Sequence, residues 1–433
     1  LLKRLLDGLI IVVLMAYVLI GAPLAPFHGD ESTQIFMSRD YAYQFIEDNW
    51  TRVRYTDPPI SPQEQHLRLL NGTVNKYLIG FAWHLGGFSL ADLNQQWDWG
   101  ADWDYNQSTN HAPSPDLLRT ARIPSSLLLA LAVPVIFAIG WQLGERPTAY
   151  LAAILFALHP ALLLNGRRAM MEGSFILFSL CVVAAGIWFI KSSQRRASLV
   201  ALSVSSGLAI ASKHSAVFTV GTIFAGCWLY LYTALMRQPR QLVLTFLRVY
   251  VAALLALGVF IALNPAWWNN PFERVGDVLR LRTELLEGQT DAFGGYTQRN
   301  EALDGWARFV FDGTPQYFEV AAWSGYIGDQ IEAYEASGLA GIAIPPVIML
   351  ILTGLGFFSL LRTRRSAAWL VCVWAAAMLA STALLTPLPW QRYYLPTHPA
   401  VCLLAAAGIS WLFNQVITRL PLPARSSPAP TSS

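Results

Sequence analysis

Apolar residues in this chain come in long unbroken blocks, and the polar residues are pushed between them. Blocks of roughly 16–24 residues, the length that crosses a bilayer as a helix, lie at 5–25, 118–142, 148–165, 172–190, 197–212, 215–236, 243–264, 338–361, 366–386 and 395–415. They predict about ten membrane-spanning helices, of which 197–212 is the shortest and is Ser-rich. The first block is too long for a signal h-region and no small-residue cleavage site follows it, so it reads as an anchor. The chain starts at Leu1 rather than Met, so a few residues are expected to precede it. Composition agrees: 54% hydrophobic, 13% charged and a mean hydropathy of +0.40 over 433 residues exclude a soluble globule.

An even number of spans puts both ends of the chain on one side. Lys3, Arg4, Arg146, Lys191, Arg195, Arg196, Arg237, Arg240, Arg362, Arg364, Arg365 and Arg419 then share that side, which the positive-inside rule makes the cytoplasm. Acids contribute little to that rule, so they test it independently. Of the 27 Asp and Glu residues, only Asp7 and Glu145 fall on the inner side. Two long outer segments result, 26–116 and 265–337, too rich in Trp, Tyr and Phe for disorder. Residues 77–85 read as an amphipathic helix on the membrane surface. The expected organisation is one membrane domain over 1–420 and a disordered Pro/Ser-rich cytoplasmic tail over 421–433. Cys181, Cys227, Cys372 and Cys402 all fall inside spans, so no disulfide is expected.

The candidate chemistry gathers at the outer ends of spans. Asp30-Glu31 follow the first span, with His28 before them. Two adjacent carboxylates at a water–lipid boundary repel each other, so they should titrate as a coupled pair with one value raised. Arg119 and Arg122 open the second span, Arg167-Arg168 and Glu172 lie between the third and fourth, Lys213-His214 between the fifth and sixth, and Arg392-Tyr393-Tyr394 before the tenth. Acids and bases together on one face suit a phosphate-bearing lipid substrate: the bases hold phosphate and a carboxylate handles a proton. The competing readings are plain ones. Arg119, Arg167 and Arg168 are placed to snorkel to headgroups, Asp30-Glu31 to start a solvated loop, and Glu172 to cap its helix. Lys213 resists such a reading, because it is a base on the outer side in a very short turn.

The run Trp97-Asp98-Trp99-Gly100-Ala101-Asp102-Trp103-Asp104-Tyr105 offers three acids for a cation and rings that stack on sugars. The adopted reading is an interfacial aromatic belt, and the spacing does not match a calcium loop. Asn71-Gly72-Thr73 and Asn106-Gln107-Ser108 are glycosylation sequons in outer loops.

Several of these pieces resemble the GT-C fold glycosyltransferases, and among them the protein O-mannosyltransferases and the lipid A aminoarabinose transferases. They are His28-Gly29-Asp30-Glu31, Thr120-Ala121-Arg122-Ile123-Pro124-Ser125, Leu158-His159-Pro160, Arg167-Arg168-Ala169-Met170-Met171-Glu172, Gly207 to Lys213, and Arg392-Tyr393-Tyr394-Leu395-Pro396. The prolines that the family often carries in its first outer loop are absent from Leu70 to Gly80, and no large β-trefoil insertion is present. The resemblance implies an all-α GT-C-like bundle in the cell membrane. It implies an outward-facing polyprenyl-phosphate sugar as donor, a hydroxyl acceptor, and transfer with inversion on the extracytoplasmic face. Asp30 would be the general base, with Glu31 and Glu172 supporting it, and Arg122, Lys213 and Arg392 would neutralise the leaving phosphate. His28, Arg168, His214 and Tyr393 are further candidates. No metal, cofactor or nucleic-acid partner is called for. A transporter is the rival reading, and a non-catalytic membrane scaffold the third. A transporter would place charge near the bilayer midplane in paired repeats, whereas here the span centres are nearly charge-free.

Overall fold

Lipid offers no partner for backbone N–H and C=O groups, so apolar blocks of this length become helices. The computed structural model describes residues 2–419, and among them there is no β-strand. The helices of the first half are α1 Leu2–Ile20, α2 Gly29–Met37, α3 Arg39–Phe45, α4 Trp50–Val53, α5 Pro62–Leu70, α6 Val74–Leu85, α7 Trp103–Ser108, α8 Pro115–Ala157, α9 Pro160–Arg167 and α10 Glu172–Lys191. The second half adds α11 Arg196–Ser212, α12 Val217–Leu235, α13 Pro239–Leu263, α14 Pro271–Phe293, α15 Arg299–Phe311, α16 Ser324–Ala336, α17 Pro346–Leu361, α18 Ser366–Leu385 and α19 His398–Arg419. The tail expected over 421–433 lies outside the described residues.

Among the described residues, seven helical stretches are long and apolar enough to cross a membrane, and α11 and α17 are shorter apolar helices. The 43-residue α8 joins two predicted blocks across a kink at Gly144 and Glu145, where Glu145 takes φ 62°. Two predicted blocks change shape. The block at 148–165 breaks at Leu158-His159, because Pro160 cannot donate a backbone hydrogen bond and starts α9 afresh. The block at 338–361 is helical only from Pro346, again a proline at a first turn. α6 covers the predicted helix at 77–85. It buries Ile79 and Trp83 against the protein and leaves Phe81 and Leu85 exposed.

The bundle has two chemically distinct ends. At one, Arg146 pairs with Asp7 at 3.0 Å, Lys191 reaches Gln142, Arg365 donates to the Leu143 carbonyl, and Arg248 to that of Ser193. These bonds tie the ends of predicted spans to the connections that the sequence places inside. The acids and bases singled out as candidate chemistry lie at the other end. Between the ends, α17 and α19 cross at two glycines. A Cβ on Gly356 would sit 1.8 Å from the Leu404 carbonyl oxygen, so backbone packs on backbone there.

The first outer segment folds around its own buried charges. Arg68 makes a bidentate bond to Asp40 and a 2.8 Å bond to Glu64, and Lys76 adds a 2.6 Å bond to Asp40. Burial would raise the Asp40 carboxyl, but Lys76 and Arg68 outweigh it and hold it below its ordinary value. Removing one member of such a network leaves a buried charge unpaired, which costs about 3–5 kcal/mol. This network therefore fixes α3, α5 and α6 as one platform beside the candidate site.

Candidate active site

The site is built on the start of α2. His28 is the N-cap, in extended conformation, and its Nδ1 accepts a 3.1 Å bond from the Asp30 amide. The His28 amide donates in turn to Glu31 Oε2 at 3.1 Å. This capping box turns Glu31 inward. Adjacent helix positions lie about 100° apart, so Asp30 faces another way.

Glu31 is fully buried, and four hydrogen bonds end on its carboxylate. Arg122 binds both oxygens, at 2.7 and 2.8 Å, and the amides of Ala169 and His28 supply the others. Burial alone would raise the Glu31 carboxyl, but Arg122, Arg168 and the Ala169 amide hold it below its ordinary value. The expectation that one of the two acids is raised by its neighbour therefore fails for Glu31. Each acid has its own arginine. The expectation for Arg122 also changes. Its guanidinium is buried, spans Glu31 and reaches the carbonyl of Ala22 at 3.4 Å, so it closes the site from behind and is not open to a phosphate.

Asp30 is 29% exposed, and its carboxylate is paired with Arg392. Arg392 also lies 3.6 Å from Glu319 and packs over the Trp390 ring. Glu319, from the second outer segment, takes a 2.7 Å bond from His28 Nε2. Because Nδ1 already accepts from the Asp30 amide, the proton of a neutral His28 must sit on Nε2. Burial, Arg168 and Arg392 favour that neutral form and lower the His28 pKa. Burial works against the Glu319 carboxylate, yet His28 and Arg168 keep its pKa below the ordinary value. Glu319 was not found from the sequence, where it stands in no motif. Its position in the second long outer segment is the one available signal.

Behind this cluster, Arg168 is buried and donates to the carbonyls of Pro26 and Tyr317, at 3.0 and 2.7 Å. Arg167 is also buried and donates to the Val18 carbonyl and the Tyr334 hydroxyl. Neither residue snorkels: Arg167 ties the first span, and Arg168 the start of the first outer segment, to the second outer segment. Arg119 does behave as a surface residue, 65% exposed and paired with Asp116.

A second pair lies beyond the 167–172 segment. Lys213 Nζ bonds Glu172 Oε1 at 2.9 Å, while the buried Glu172 Oε2 has no protein partner. The 71–73 turn is pressed on this helix end, and a Cβ on Gly72 would sit 1.9 Å from the Ser212 carbonyl oxygen. Glu172 thus does more than cap α10. His214 does not join the site, because its ring packs on Phe260 and Trp267. Tyr393 stacks on Trp390 and donates to Gln289, which steadies the turn that carries Arg392.

The tryptophan run departs from a lipid-facing belt. Trp97 and Trp103 are buried with Phe27 and Trp323 in an aromatic core. Asp98 and Asp102 each use one carboxylate oxygen to accept from the amides of Gly100 and Tyr105. Among the described residues, no cluster of three potential metal ligands occurs. Asn106 of the second sequon is fully buried and bonded on both sides of its amide.

Comparison with known proteins fits this architecture. Residues 68–270 match the family profile of dolichyl-phosphate-mannose-protein mannosyltransferase, a stretch that holds Arg122, Arg168, Glu172 and Lys213 but not Asp30 or Arg392. Among solved structures, the chain is similar to the archaeal oligosaccharyltransferase AglB from Archaeoglobus fulgidus, determined with an inhibitory peptide and a dolichol-phosphate. The TM-score is 0.55 at 12% identity, over 96% of this chain and 51% of that one. It is also similar to ArnT from Cupriavidus metallidurans in the apo state, with a TM-score of 0.51 at 14% identity, over 96% of this chain and 63% of that one. The chain thus spans about half to under two-thirds of these proteins' lengths. No curated protein matches it in sequence. The chain has the GT-C fold of membrane glycosyltransferases, and its residues 68–270 match the dolichyl-phosphate-mannose-protein mannosyltransferase family.

Proposed function

We propose that this protein transfers a sugar from a polyprenyl-phosphate donor to a hydroxyl acceptor, at the end of the bundle that carries Asp30. One observation carries the reading: of the two adjacent acids, Glu31 is saturated by Arg122 and two amides, while Asp30 is partly exposed beside Arg392. A base and a phosphate-binding cation side by side are what glycosyl transfer from a lipid phosphate requires. The acceptor oxygen attacks the anomeric carbon from the face opposite the phosphate, and Asp30 takes its proton. The carbon–oxygen bond to phosphate breaks, and its electron pair leaves on the phosphate. Arg392 and Lys213 stabilise that developing charge, the latter from its pair with Glu172. Glu31 and Arg122 form the rigid back wall, and His28 with Glu319 positions the Asp30 backbone. The transporter alternative gains no support from the charges, which lie towards the two ends of the bundle rather than midway along its spans.

The family match and the GT-C fold support the donor class. The test uses the purified chain in nanodiscs with labelled dolichyl phosphate and undecaprenyl phosphate. Saturable binding that weakens in Arg392→Ala and Lys213→Ala is expected. Equal affinity in wild type and both variants would reject the phosphate site.

A further inference from the structure

Trp99 differs from its neighbours in the aromatic core. Trp97, Trp103 and Trp323 are 3%, 8% and 7% exposed, whereas Trp99 is 38% exposed. One face of its indole lies on Trp323, with centroids 5.5 Å apart and planes at 23°. Its ring is 6.3 Å from that of His28, whose Nδ1 is 3.9 Å from the Asp30 carboxylate. Its loop is held stiffly. The buried Asn106 accepts from the Asp98 amide at 2.8 Å and donates to the carbonyls of Asp98 and Asp102 at 2.9 and 2.8 Å. Asp98 also bonds the Gly100 amide at 2.9 Å. A fixed indole, backed by a second one, thus neighbours the His28 ring that the candidate base also approaches.

The charges around it identify what it meets. Asp98 and Asp102, on the same loop, and Asp104, in the first turn of α7, are exposed carboxylates. Carboxylates are costly to bring into a membrane, so the loop is unsuited to the belt role. They suit a ligand with an apolar face and a rim of hydroxyl donors. A pyranose ring has that form: its axial C–H groups favour the negative face of an indole, and its hydroxyls find acceptors at the edge.

We propose that Trp99 is a stacking platform for a pyranose ring beside Asp30, a subsite for sugar that rests on the transferase reading above. The ring belongs either to the donor or to a carbohydrate acceptor, and the test separates the two. Trp99→Ala and Trp99→Phe are compared with wild type in nanodiscs. The probes are dolichyl phosphate, dolichyl phosphate mannose and, by saturation-transfer NMR, methyl α-mannopyranoside. For a donor subsite, Trp99→Ala weakens dolichyl phosphate mannose about three- to tenfold, the worth of one aromatic stacking contact. Bare dolichyl phosphate is unchanged, and Trp99→Phe recovers most of the loss. For an acceptor subsite, both lipids bind as before and Trp99→Ala loses the saturation transfer to the pyranoside. Three results overturn the proposal: neither arm moves, bare dolichyl phosphate weakens as much as the mannosylated lipid, or wild type gains nothing from a sugar in either arm. Failure of wild type to bind dolichyl phosphate would count against the transferase reading, and the pyranoside arm would still decide the platform.

Discussion

Asp30 and Glu31 are neighbours of nearly identical chemistry, and neutralising each should break a different property. In Asp30→Asn, the side chain keeps its size and an oxygen for Arg392. Arg392 also keeps Glu319 at 3.6 Å. The pair is partly exposed, so its loss costs stability about 0–1 kcal/mol. The chemical loss is larger. A positioned base contributes about 10²–10⁴-fold to rate, or about 3–5 kcal/mol of barrier. Asp30→Asn should therefore fold, bind donor and transfer sugar at least about a hundredfold more slowly. Glu31→Gln reverses the balance. Both Glu31 oxygens accept bonds from Arg122 and from an amide. An amide nitrogen at either place meets two donors and leaves Arg122 buried without its counter-charge. That costs about 3–5 kcal/mol, a large share of a stability of about 5–15 kcal/mol. The assay is single-turnover transfer from dolichyl phosphate mannose in nanodiscs at matched protein levels, with thermal unfolding of the same samples. If Asp30→Asn stays within about tenfold of wild type, the base lies elsewhere. If its unfolding temperature drops as far as that of Glu31→Gln, its loss of rate is a loss of structure.

Three further outcomes follow from the same geometry. Lys213→Ala strands a buried Glu172 carboxylate, so the donor KM should rise and turnover fall by a combined loss of about 2–5 kcal/mol. Unchanged donor kinetics in both Lys213→Ala and Arg392→Ala would return these residues to a snorkelling role. The Glu31 carboxyl lies below its ordinary 4.5 in the folded protein, and Asp40 and Glu319 are depressed likewise. Their stabilisation is then complete above the ordinary carboxyl values and is lost as pH falls through the folded ones. Thermal unfolding should weaken steeply on acidification, less steeply in Glu31→Gln, and an identical acid slope in both would refute the assignment. Single cysteines at Trp50 and Asn300 should react with an impermeant thiol reagent from outside intact cells, and those at Arg146, Ser193, Gln238 and Thr363 should not. Outside labelling at position 193 would overturn the topology.

The sequence determined what repeats along the chain. Lipid forces every backbone bond to close within its own segment, so apolar block length marked where the long apolar helices lie, while Pro160 and Pro346, whose missing amides restart a helix, and the kink at Gly144 and Glu145 changed their bounds. Sorting of acids from bases likewise foreshadowed the two ends of the bundle, because charge cannot cross lipid cheaply. The sequence also assigned Asp30, Glu172, Lys213 and Arg392 to one face, and the structure pairs Asp30 with Arg392 and Glu172 with Lys213. It did not reveal which carboxylate is spent and which is open. That depends on partners far along the chain: Arg122 and Ala169 meet Glu31, and Glu319 meets His28 across 291 positions. It treated Trp97, Trp99 and Trp103 as equals, although burial separates them. Helix placement follows from local composition and solvent. The state of a buried charge or the free face of a ring follows from what tertiary packing brings against it, and only the folded structure decides that.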